Sequence, residues 1–209
     1  MKLSVRDLAA AERADLAALL KSLTAEQWRV PSPCDGWTVR DVVAHMLSYD
    51  ELGLTGLARR FARGHLHLDQ ANALGLADFA DCTPRQLLDL LDRCITPRGL
   101  TRGFGSRIAL LDAMVHHQDI RRPLGMPRDI PGKRLVPALN FARMAPPIGA
   151  RQRIHGLRLV ATDLDWAAGE GLDVMGPAEA LLMAIAGRHG VAEELDGPGA
   201  ATLRERTGP

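Results

Sequence analysis

Up to Gly125, proline and glycine cut the chain into segments whose apolar residues repeat at helical spacing, and this restricts the region to a helical architecture. Leu16, Leu19, Leu20 and Leu23 mark one helix face, which stops before VPSPCDGW, where Pro31, Pro33 and Gly36 break regular structure. Thr38 then offers an N-cap, with Asp41 in the place of a capping-box carboxylate. The helix it opens turns Val39, Val42, Val43 and Met46 inward and is expected to run to about Gly64. A short helix is expected from Leu68 to Ala77. Thr83 and Pro84 start another, carrying Leu87, Leu88, Leu90 and Leu91 and ending near Pro97 and Gly99. A further helix begins near Ser106, keeps Ile108, Leu111 and Val115 on one face, and closes at Pro123 and Gly125. Principal helices joined by short connections predict an antiparallel four-helix bundle.

A fifth helix is expected over 132–144, ended by Pro146 and Pro147. The texture then changes. Ile154, Leu157, Leu159 and Ala161 alternate with the period of a half-buried strand, GLDVMG reads as a second strand, and Pro177 starts a helix over PAEALLMAIAGR. The tail from Gly197 is expected to be poorly ordered. The fold class is mainly α, with a bundle over residues 1–149 and a small α/β unit over 150–209.

Composition removes several function classes. A net charge of +1 supplies no field for a polyanion, and 4% aromatic residues are too few for a base-stacking platform, so nucleic acid is not an expected partner. The first twenty residues carry Arg6, Asp7, Glu12, Arg13 and Asp15, which leaves neither a signal core nor a membrane span there. Cys34, Cys82 and Cys94 form no C-x-x-C pair and are odd in number. A cytoplasmic protein without membrane contact is expected. Basic residues are nearly all arginine, which with abundant Ala, Gly and Leu hints at a GC-rich genome.

The chemistry concentrates in IALLDAMVHHQD, residues 108–119. Asp112 and His116 are four residues apart and project from one helix face, the face that also bears Ile108 and Val115. An aspartate on a core stripe is costly unless it is paired or bound to a cation. His45 poses the same problem between Val42, Met46 and Tyr49. Polar groups brought to a bundle interior by two helices are the way such bundles build metal sites, and two imidazoles with one carboxylate suit zinc, iron or nickel. Spacing equally allows a local Asp–His hydrogen bond and a satisfied core histidine, so it leaves both readings open.

The runs PSPCDGWTVRDVVAHM, DAMVHHQDIRRPLG and LRLVATDLDWAAGEGLDVMGPAEALLMAIAGR together resemble the mycothiol-dependent maleylpyruvate isomerase family, actinobacterial relatives of the DinB-like metal-binding bundles. The resemblance covers most of the chain, with its blocks in the family's order. It implies a divalent metal, commonly zinc, held by His45, Asp112 and His116, and mycothiol as cosubstrate. The isomerase has glutamate where this chain has Asp112, which is one methylene shorter. His117 points about 100° away from His116 and reads as a surface or supporting group. Asp119 reads either as the partner of an imidazole's second nitrogen or as a solvated charge. Cys34, just before a helix N-terminus, reads as a small residue shaping the turn rather than a nucleophile.

An open metal position can bind a thiol sulfur and favour the thiolate. The function that follows is a metal-dependent, mycothiol-using transferase or isomerase whose partners are a small thiol and a small electrophile. Arg188, in the AGRHG turn, is the expected catalytic partner of a substrate carboxylate, although a helix-end arginine is also favoured there by the helix dipole. Two other classes stay open: a hydrolase using metal-activated water, and a non-catalytic binding module. A monomer or homodimer is expected.

Overall fold

The computed structural model describes residues 3–208. It divides into two compact units, Met1–Pro127 and Arg128–Pro209. In the first, α1 (Val5–Ser22), α2 (Val39–Asp50), α3 (Leu54–Arg63), α4 (Leu68–Ala77), α5 (Pro84–Arg93) and α6 (Gly103–Arg121) follow in order. Three of them start at reciprocal caps. Ser4, Thr38 and Thr83 each accept a bond from the backbone N–H three residues on, and Asp7, Asp41 and Gln86 bond back to the cap's own N–H. These caps fix where α1, α2 and α5 begin and so set the phase of their apolar faces.

Both α1 and α2 pack on α5 and on α6, which closes a four-helix arrangement. Its core contains Leu16, Leu20, Val42, Met46, Leu47, Leu87, Leu91 and Ile120, all essentially inaccessible. The innermost helix is α6, in which every residue from Ala113 to Ile120 is buried. A helix buried all round has no wet face, so each of its polar side chains needs a partner inside the protein.

The helix opened by Thr38 does not run to Gly64. It ends at Asp50, and α3 starts separately after Gly53. The end of α2 is committed elsewhere. Asp50 accepts a bond from Arg13 Nη1 at 2.9 Å and another from Thr101 Oγ1 at 2.6 Å. The 98–102 segment lies against the same end, where a Cβ at Gly99 (φ +47) would collide with the Asp50 carbonyl. Regular α6 follows three left-handed residues, Phe104, Gly105 and Ser106, so the helical dihedrals begin at Arg107.

The second unit contains α7 (Gly132–Ala142), α8 (Ala150–Arg153), β1 (Leu157–Ala161), β2 (Ala167–Gly169), β3 (Leu172–Gly176), α9 (Ala178–Ile185) and α10 (Ala200–Thr207). Its sheet has the order β2-β1-β3. β1 is antiparallel to β2 and parallel to β3, in the register Leu159↔Ala168 and Leu159↔Val174. Leu157, Leu159 and Ala161 are the buried members of the β1 alternation, and α9 packs on β1 and β3.

Two expectations change here. The boundary expected at 149/150 falls inside the second unit, because Leu135, Ala138 and Leu139 of α7 are buried and α7 packs on α9. The tail is not loose after Gly197. It forms α10, which buries Ala200 and Leu203 and packs on α8 and β3. Among the described residues no helix is long and apolar enough to cross a membrane.

Candidate metal centre

α2 carries His45 one turn from its C-terminal end, α6 carries Asp112 and His116, and the two helices pack together. One ligand-capable atom from each of these residues lies within 4.8 Å of those of the other two. His116 Nε2 is 3.6 Å from Asp112 Oδ1, and the rings of His45 and His116 meet nearly edge to face, with centroids 5.1 Å apart. Asp112 keeps 23% of its side-chain surface exposed, against 9% for His116. The set is therefore recessed but open on the aspartate side.

Asp119 is buried, and its Oδ2 lies 2.9 Å from His116 Nδ1, one helical turn back. The same oxygen accepts a bond from Cys34 Sγ at 3.4 Å. A proton on Nδ1 directed at Asp119 makes Nε2, the nitrogen facing Asp112, the one that would lose its proton and offer its lone pair to a bound cation. Burial alone would lower the basicity of His116, but the Asp119 bond, the Cys34 contact and the Asp112 charge outweigh it and push its pKa up to about 10. Burial raises the Asp112 carboxyl above the usual range, against the opposing pull of His116 and Arg13.

Cys34 reaches Asp119 because of a specific turn. Ser32 N–H donates to the Trp37 carbonyl at 2.8 Å, and Trp37 N–H donates to the Cys34 carbonyl at 3.0 Å. Gly36, at φ +74, supplies the positive dihedral needed at the third residue of that second turn. The loop delivers Trp37 as well as Cys34: the Trp37 ring lies 4.7 Å from the His45 ring. Cys34 forms, with His116 and Asp119, a second group of ligand-capable atoms within 4.8 Å of one another.

Sequence reasoning did not anticipate the support on the far side of His45. The Tyr49 ring meets His45 edge-on with centroids 5.4 Å apart, and its hydroxyl donates to Asn72 Oδ1 of α4 at 2.6 Å. The Arg60 guanidinium of α3 stands 5.3 Å from the Tyr49 ring centroid and bonds Ser48 and Asp78. Thus α3 and α4 brace the face of α2 that bears His45. The only sequence signal was Tyr49 four residues after His45 on one helix.

His117 is not a surface group. It is fully buried, with Nδ1 2.9 Å from Glu12 Oε1 of α1, while Arg121 Nε donates to its Nε2 at 2.9 Å. Because Nε2 accepts, Nδ1 carries the proton and donates to Glu12. Arg188 follows α9 in the second unit, is half-buried, and donates from Nη1 to the Ala186 carbonyl at 3.4 Å.

The family model described as the mycothiol maleylpyruvate isomerase N-terminal domain matches residues 9–121, from within α1 to the end of α6. The chain belongs to that family. Two solved structures of the mycothiol-dependent maleylpyruvate isomerase share the fold. A histidine-to-alanine mutant of that enzyme superposes with a TM-score of 0.60 at 15% identity, covering 94% of this chain and 92% of the other. The enzyme without that substitution gives 0.56 at 14% identity over the same shares. Uncharacterized proteins from two Mycobacterium tuberculosis strains are 35% identical over 77 residues, 37% of this chain. The match spans 29% of the length of those curated relatives.

Proposed function

We propose that this protein is a metal-dependent enzyme that uses a low-molecular-weight thiol, mycothiol, to transfer to or isomerise a small electrophile. The observation that carries the reading is the convergence of His45, Asp112 and His116 from two packed helices, inside the region matched by the family model. The donor set fits a divalent ion. Ligand atoms about 2 Å from a zinc ion are separated by roughly 3.3 Å in a tetrahedron, which side-chain rotation brings within reach here. Two imidazoles and one carboxylate suit zinc, iron or nickel, of which the family resemblance favours zinc, and leave a coordination position for an exogenous ligand. When bound, the ion supplies a Lewis acid that favours the thiolate form of a thiol at neutral pH.

The chain's own residues have defined tasks in this scheme. Asp119 holds His116 in the tautomer that presents Nε2 to the ion, and Cys34 holds Asp119. Trp37 and Tyr49 each pack against the His45 ring and restrict its orientation. Arg188 pairs with a carboxylate of the substrate or of the thiol. The attacking sulfur adds to an activated double bond, the former double bond rotates, and elimination returns the thiol and the trans isomer. Uptake of a proton from solvent at the neighbouring carbon, in place of elimination, leaves the conjugate. A cytoplasmic location goes with this reading, because low-molecular-weight thiols are kept reduced there.

Steady-state kinetics on a panel of electrophiles, with and without mycothiol, test the reading. Turnover is expected only with the thiol, to survive Cys34→Ser, and to be lost in His45→Ala together with the bound metal. Hydrolysis of an ester or amide at full rate without thiol overturns it in favour of metal-activated water. Activity lost only in Cys34→Ser moves the nucleophile to the protein's own sulfur.

A further inference from the structure

The second unit holds a cavity of about 490 Å³ lined by Gly149, Gln152, Arg153 and Arg206. Arg153, half-buried, donates from Nη1 and Nη2 to the Ile148 carbonyl at 2.7 and 2.6 Å. Arg206 Nη1 donates to the carbonyls of Arg153 and His155 at 3.1 and 2.6 Å. The turn after α9 closes over the same guanidinium: a Cβ at Gly187 (φ +83) would collide with Arg153 Nη2. That turn carries Arg188. Burial first, and then the charge of Arg188, lower the basicity of Arg153.

Both lining guanidinium groups are thus fixed by neutral backbone carbonyls. Neither has a carboxylate partner among the described residues. Two cations that line one cavity and are held only by neutral acceptors leave uncompensated charge there, and an anion that meets both compensates it. Their positions are already set, so little side-chain freedom is lost on binding. Arg153 Nε and Arg206 Nε and Nη2 remain as donors, in the planar geometry that suits carboxylate and phosphate oxygens. Gln152 adds a neutral amide to the same wall.

We propose that this cavity is a binding site for a small oxyanion, a carboxylate or a phosphate group, held by Arg153 and Arg206 with Gln152 as a neutral donor. None of these residues belongs to the donor set on α2 and α6, and the site stands whether or not the metal reading holds.

Isothermal titration of the full chain with inorganic phosphate, and separately with succinate, tests this at an ionic strength held constant with sodium chloride. Saturable binding of at least one anion is expected; phosphate alone identifies a phosphate ligand and succinate alone a carboxylate. Affinity should fall about tenfold or more in Arg153→Gln, as one charge-assisted contact is lost. Because that change also removes the bonds to Ile148, Gln152→Glu is the decisive variant. It places a carboxylate in the cavity wall from an exposed position and should abolish binding while circular dichroism stays unchanged. His45→Ala should bind as the wild type does. No saturable binding of either anion, or undiminished binding in Gln152→Glu, overturns the proposal.

Discussion

Asp119→Asn isolates the contribution of one buried charge to the proposed centre. The asparagine Oδ1 can still accept the bond from His116 Nδ1, now made at 2.9 Å, so the ring orientation is preserved while the negative charge is lost. Asp119 is fully buried, so water screens this interaction very little. Groups that hold a ligating imidazole through its second nitrogen typically alter metal affinity by 10–100-fold, about 1.4–2.7 kcal/mol. Zinc affinity of Asp119→Asn is therefore expected to fall by about that factor, measured by competition with a chromophoric chelator at fixed pH. Asp119→Ala should lose at least as much, because ring orientation goes with the charge. Circular dichroism and urea unfolding of the metal-free proteins separate lost affinity from lost fold. Equal zinc affinity in Asp119→Asn and the wild type, with the fold intact, would refute the reasoning that Asp119 tunes a metal-bound His116.

Two further outcomes follow from the buried charges. Asp112→Leu should abolish metal retention, read by elemental analysis, yet leave the metal-free chain no less stable to urea, since a desolvated carboxylate is exchanged for an apolar group. Arg13→Met should cost roughly 3–5 kcal/mol in urea unfolding, because it leaves Asp50 buried without its ion-pair partner. Burial already raises the Asp50 pKa, with Arg13 opposing, so the folded state holds that proton more tightly than the unfolded state. The sign is then fixed: stability falls as pH rises from about 3.8 through the folded value, and Arg13→Met should regain part of its loss as pH is lowered from 7 toward 5. A deficit that does not depend on pH would place the cost in packing instead.

Local signals carried most of the first unit. The capping box at Thr38 and the cap-proline start at Thr83 are written within four residues, and the structure makes both, adding Gln86 as the reciprocal partner of Thr83. Asp112 and His116 share a face by helical geometry alone, while bringing His45 to them needed the family resemblance, since nothing local couples α2 to α6. What stayed illegible is non-local. Glu12 and His117 are 105 positions apart, and their bond makes a polar residue a core residue, which periodicity reads with the wrong sign. The early end of α2 depends on Arg13 and Thr101, 37 and 51 positions from Asp50. The order of the tail rests on Leu203 being buried in the second unit, which a short segment opening on Gly-Pro-Gly and carrying Arg204, Glu205 and Arg206 does not announce.

The neighbours His116 and His117 show how one helix serves two purposes. A step of one residue turns the side chain by about 100°, so His116 comes up beside His45 of α2 while His117 meets Glu12 of α1. The pair toward α1 is complete, because both imidazole nitrogens are bonded, to Glu12 and to Arg121. The α2 side has a different balance. Asp112 and Asp119 both act on His116 there, Asp50 adds to the negative charge felt by Asp112, and Arg13 opposes it. In the metal-free protein those carboxylates favour the protonated, positively charged form of His116. A divalent cation bound by Asp112, His45 and His116 would supply more of it at the same place, with Asp119 left to orient the ring. The acidic surroundings of His116 fit the proposed ion, whereas a histidine retained only for packing would not need both Asp112 and Asp119 beside it.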